Sequence, residues 1–240
     1  MATALHRPTQ LAEERRFFFV LSIVIFATAI AGFGSDIFVG HVWFTDFPWQ
    51  VHVHAVVFTS WMVLYVVQNW LVVDGQSIIL HRRLGWLGAG IATIMVPLGI
   101  AATVMAIARG SITGIFPLGL FLVMDILGIL GFAALTFVAI RMRNHAGWHK
   151  RLMLCGTVLV IAPGIGRLVG PLPLGDLTPF ALFAAITLYI LVGIGFDLIV
   201  LRRIHPAYWW GAGTVALLQL LTGPIGFSPP VVAFAERLAN

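Results

Sequence analysis

Histidine is the residue type in this chain best suited to chemistry, because neutral imidazole ligates metals and haem and titrates near neutrality. His52 and His54 open one long apolar run, while His81 and His149 each begin a later run. A spacing of two residues separates His52 and His54 by about 200° on a regular helix, so one face cannot present both to a single ion. A metal site using either therefore needs ligands from elsewhere, and Asp46, His41 and Asp125 are the available groups near that end. Asp46 with His52 and His54 is the set expected to hold a metal there.

Asp125 is the deepest formal charge, roughly 13 Å into its apolar run at 1.5 Å per residue. A carboxylate at that depth marks a functional site with a partner to be named. Arg167, which follows the interruption Pro163-Gly-Ile-Gly166, is that expected partner. Together with His54 the pair forms an expected polar pocket for an anionic or quinone-like ligand, or for proton relay. Asp125 and Arg167 are the candidate catalytic residues. The candidate cofactor ligands are His54 and His52 at this end and His81 and His149 at the other, the latter with Arg82, Arg83, Lys150 and Arg151 beside them to meet haem propionates.

The elements that position these groups are membrane spans. The 240 residues are 60% apolar and 10% charged, with a mean hydropathy of +1.01, whereas soluble domains carry roughly 25% charged residues. Runs of about 20 apolar residues suffice to cross the hydrocarbon. Seven are present: 17–33, 49–73, 84–108, 116–140, 152–170, 179–201 and 207–225. The expected fold is all-α, an integral membrane bundle of seven transmembrane helices. Residues 1–16 read as a cytoplasmic tail, 17–225 as the helical domain and 226–240 as an extracytoplasmic tail. With the amino terminus inside, Arg7, Arg15, Arg16, Arg82, Arg83, Arg141, Arg143, Lys150, Arg151, Arg202 and Arg203 fall on the cytoplasmic side. These are 11 of the 14 basic residues, which favours N-inside, C-outside.

The segment 49–73 reads as the central helix, since His54, Trp61, Tyr65, Gln68 and Asn69 fall within an arc of about 100° and a lipid-facing polar stripe is costly. Asp197 is expected to pair with Arg202 or Arg203, and His145 with His149 has helical i, i+4 spacing. The run His81-Arg-Arg-Leu with Gly88 recurs as His149-Lys-Arg-Leu with Gly156, 68 residues later. This echo suggests repeated helix hairpins.

Several classes are excluded. The basic residues are distributed between apolar runs and form no nucleic-acid face. The lone Lys150 sits at a run start and not within a span, which argues against a retinal Schiff base. The histidines lack the several HxxxH and HxxHH clusters of integral di-iron enzymes, and Cys155 makes no intrachain disulfide.

The pattern of HxHA at His52, Gln68, HRRLGW at His81, HKRLM at His149 and HPAYWWG at His205 resembles a group of bacterial polytopic membrane proteins without a defined activity. That resemblance implies the fold. More distantly, the chain is similar to membrane haem-b cytochromes, in which histidines on adjacent helices ligate haem, and this carries over only to His81 and His149. Three functions are open at this stage. One is a membrane redox protein with haem or a transition metal, acting on a lipophilic substrate such as a quinone. The others are a transporter or binding protein built on Asp125, Arg167 and His54, and an accessory subunit of a membrane complex. The bilayer of the cell (inner) membrane is the expected location, with a homo-oligomer or complex partner as further expectations.

Overall fold

The computed structural model describes residues 8–38, 47–73, 77–111 and 116–240. Among them the regular structure is entirely helical. The long helices are α1 (Pro8–Phe38), α2 (Trp49–Val73), α3 (Ile78–Ala108) and α4 (Leu118–Arg141). They are followed by α5 (Ala146–Val160), α6 (Ala162–Val169), α7 (Thr178–Phe196), α8 (Pro206–Gly226) and α9 (Pro229–Ala239). Five helices are long and apolar enough to cross a membrane, or seven spans if each of two bent pairs counts as one. This is the make-up of a multi-pass membrane protein.

Both bends have local causes. Proline cannot donate an amide hydrogen and is tolerated in the first turn of a helix. Pro163 accordingly sits in the first turn of α6, two residues beyond Ile161, and the axis turns by 49° between α5 and α6. Pro229 and Pro230 likewise start α9 at 76° to α8. α7 runs on into a π-turn at Asp197–Leu201, which stops where Arg202 adopts a left-handed φ of 57°.

Three boundaries differ from the sequence expectation. The segment expected as a polar tail is helical from Pro8 and continuous with the first span, because Glu14 is drawn into the protein by partners described below. α3 begins at Ile78, capped by the Ser77 hydroxyl accepting from the Leu80 amide, so His81, Arg82 and Arg83 are helical. The segment after Phe227 forms α9, which packs Ala235 beside Ile107 and Leu122.

The central helix is α4, not α2: half of the α4 span is buried against 28% for α2. Glycines explain the difference. A side chain at Gly119 would overlap the Gly226 carbonyl oxygen, and one at Gly131 would meet Leu218 and Leu159. α4 therefore approaches α8 and α5 closely. Gly32 of α1 is equally tight against the Gly164 carbonyl of α6, whereas Gly34 faces open space. Gly32→Ala should therefore cost about 1–3 kcal/mol and Gly34→Ala almost nothing, as read from thermal unfolding of the purified protein. Equal melting of the two variants would contradict this packing account.

Candidate functional site

Near the starts of α3 and α5 the structure brings His81 and His149 together. Their ring centroids lie 6.3 Å apart with planes at 89°. Each ring is held by the chain of a neighbouring helix. His81 Nδ1–H donates to the Gln68 carbonyl of α2 at 3.3 Å, and His149 Nδ1–H donates to the Ala139 carbonyl of α4 at 2.8 Å. A carbonyl only accepts, so each Nδ1 carries a proton, and in the neutral ring Nε2 is the nitrogen that keeps a lone pair. This is the arrangement by which a ligating histidine is oriented: one nitrogen fixed by the protein, the other presented to the metal. His145 does not join them, because it is the exposed N-cap residue of α5 and lies outside the helical face.

Beside the pair lies a charge cluster that the sequence reading missed. Arg151 is 1% exposed; its Nε and Nη2 donate to the two carboxylate oxygens of Asp197 at 2.9 and 2.5 Å. Nη2 also donates to Glu14 at 2.6 Å and Nη1 to the Gly147 carbonyl at 3.0 Å. Lys150 pairs with the other Glu14 oxygen at 2.6 Å. Two acids and two bases thus neutralise one another while joining α1, α5 and the π-turn. Asp197 pairs with Arg151 and not with Arg202 or Arg203, because the left-handed turn at Arg202 leaves those two side chains exposed. Since His149 immediately precedes Lys150 and Arg151, the cluster fixes the helical turn that carries it.

His205 closes this end as the N-cap of α8. Its Nδ1 accepts from the Ala207 amide at 3.1 Å, and its own amide donates to Asp197 at 3.1 Å. Burial, followed by the Arg151 charge, pushes the imidazole down to about 4; Asp197 and Glu14 act upward and Lys150 downward. The sign follows directly. Between about 6.5 and 4 the unfolded chain takes up a proton that the folded chain refuses, so stability falls as pH drops through that window. His205→Asn keeps a capping acceptor without titrating. The wild-type melting temperature should therefore fall more between pH 7 and pH 4.5 than that of the variant, and parallel curves would contradict this assignment.

At the opposite end, α2, α3 and α4 pack in a layer at Phe58, Gly99 and Ile129. One turn further out on each helix stand His54, Thr103 and Asp125. The Thr103 hydroxyl donates to Asp125 at 3.3 Å. His54 is hydrogen-bonded to the Leu98 backbone and stacked on Phe58 at 4.0 Å, while its Nδ1 is buried with no partner among the described residues. The expected contact pair of Asp125 with Arg167 is not formed. Arg167 donates to the Pro163 carbonyl at 2.9 Å, lies over the Phe33 ring at 4.4 Å, and reaches Asp125 and His54 through its field. Thr103 was the missed member, a hydroxyl one helical turn beyond Gly99.

The expected metal set does not assemble in what is described. Asp46 and His41 lie outside the described residues, His52 shares no ligand group with His54, and no group of three or more His, Cys, Asp or Glu among the described residues is placed to hold a metal ion. The structure therefore offers one pair of presented imidazoles, not a protein-only coordination shell. Comparison with protein-family models, with curated proteins and with solved structures gives no match. The functional reading rests on geometry alone.

Proposed function

We propose that this chain is a membrane redox protein in which His81 and His149 would hold a haem at the basic end of the bundle. The observation that carries the proposal is the pair itself, with each Nδ1–H spent on a backbone carbonyl and each Nε2 left to ligate. Distances support a shared metal. With a metal–nitrogen bond of about 2.0–2.1 Å and a ring centre about 1.2 Å beyond, two imidazoles in line have centroids about 6.4 Å apart. The observed spacing is 6.3 Å. A bare tetrahedral ion asks the protein for four ligands, whereas a porphyrin supplies four nitrogens and asks for two. Donor chemistry thus fits haem better than a lone ion. Haem when bound supplies one-electron transfer. The chain's own residues would orient the two imidazoles, and Arg82 and Arg83, exposed on the same turn as His81, are placed to meet carboxylates.

In this reading the basic end is cytoplasmic, the chain makes seven spans and the carboxyl terminus is outside, following the charge distribution. An absorption spectrum tests the proposal. The protein as isolated should show a Soret band with about one haem per chain; no band after haem-replete expression overturns it. A second reading, a small-molecule binding protein, is favoured by the unpartnered His54 Nδ1 beside Thr103 and Asp125. It predicts that Asp125→Asn abolishes ligand binding or uptake while the protein still folds.

A further inference from the structure

We infer that the cleft between α1, α6 and α7 holds one acyl chain of an anionic phospholipid, with the headgroup phosphate on arginines at the basic end. α1 and α7 meet at two places: Phe17 stacks on Phe196 at 4.0 Å, and the Thr28 hydroxyl bonds the Tyr189 hydroxyl at 2.5 Å. Alongside these bridges runs a groove of about 490 Å³, lined on α1 by Val20 and Val24, on α6 by Leu168 and on α7 by Leu188 and Val192. Val20 and Leu188 are 57% and 59% exposed, so the groove opens on the lipid side.

Its chemistry selects hydrocarbon. Thr28 spends its proton on the Val24 carbonyl at 2.9 Å, so Tyr189 must donate within the hydroxyl pair. Neither hydroxyl keeps a hydrogen for a ligand, and a carbonyl-bearing guest such as a quinone would find no donor from them. The length selects one leaflet. From Phe17 to Thr28 is 28 − 17 = 11 residues, about 16 Å of helix, against about 15 Å for half of a 30 Å hydrocarbon core.

The rim selects the headgroup. Arg16 lies one turn before Val20 on the same stripe of α1, and Arg202 and Arg203 follow the π-turn that ends the α7 segment; all three are exposed. The Gln10 side chain donates to the Val200 carbonyl at 3.2 Å, which holds those two helix ends together. Among the described residues Glu13 is an exposed acid nearby, whereas Glu14 and Asp197 are consumed by Lys150 and Arg151. Such a basic rim attracts anionic headgroups.

The inference requires a bilayer around the chain but not the histidine pair. Native mass spectrometry of the full chain, exchanged into micelles containing equal phosphatidylglycerol and phosphatidylcholine, tests it. One phosphatidylglycerol should be retained per chain, at least about tenfold over phosphatidylcholine (about 1.4 kcal/mol). Arg16→Gln with Arg202→Gln and Arg203→Gln changes only exposed side chains and should abolish the preference. Val24→Trp, which fills the groove, should abolish retention, whereas Leu220→Trp on the exposed side of α8 should not. Equal retention of both lipids, retention unaffected by the arginine and Val24 variants, or a groove covered by a second copy in a dimer would each overturn the inference.

Discussion

Asp197→Ala should destabilise the folded protein by about 3–5 kcal/mol, the usual consequence of removing one member of a buried ion pair. Arg151 is its victim. The guanidinium is buried and donates two of its hydrogen bonds to Asp197; its other hydrogen bonds among the described residues go to Glu14, already shared with Lys150, and to the Gly147 carbonyl. The same substitution removes the acceptor for the His205 amide, so the start of α8 loosens as well. What the cluster contributes to net stability is a separate matter, because taking four charges out of water cancels much of their attraction. Replacing the pair with apolar side chains, Arg151→Met with Asp197→Leu, leaves Glu14 and Lys150 balanced. That double variant should be distinctly more stable than Asp197→Ala. Unfolding of the purified proteins by heat or denaturant measures both. A loss below about 1 kcal/mol for Asp197→Ala, or a double variant no better than the single, would refute the view that Arg151 depends on this carboxylate.

The same cluster shows why part of this molecule was illegible in its sequence. Span positions follow from hydropathy, and the proline at 163 announces the break that bends α5 against α6. The pairing of His81 with His149 was readable because their 68-residue echo puts both at the start of helices running in one direction. Arg151, by contrast, looked like any flanking cation. Its partners lie 137 and 46 residues away, and nothing local distinguishes an arginine that turns inward from one that faces lipid headgroups. Asp125 was recognised as buried and polar, but its nearest partner is the Thr103 hydroxyl, which a search for opposite charge overlooks. The polar stripe of α2 drew attention from α4, whose sequence is apolar apart from Asp125 and whose glycines let neighbouring helices pack closely.

His81→Ala and His149→Ala should each eliminate the haem spectrum while leaving the protein folded, and His52→Ala and His54→Ala should leave it intact. The asymmetry follows from position. Among the described residues the first two rings are the imidazoles found side by side, and each comes from a different helix. An outer hydrogen-bond partner of a ligand alone typically carries 10- to 100-fold in metal affinity, so losing a ligand should exceed that. His149→Ala also leaves Lys150 and Arg151 with their carboxylates, so a lost spectrum with an unchanged melting profile would mark ligation and not misfolding. If instead His54→Ala removes the absorbance and His81→Ala does not, the redox centre lies at the Asp125 end, and the basic-end pair holds helices together without ligating anything.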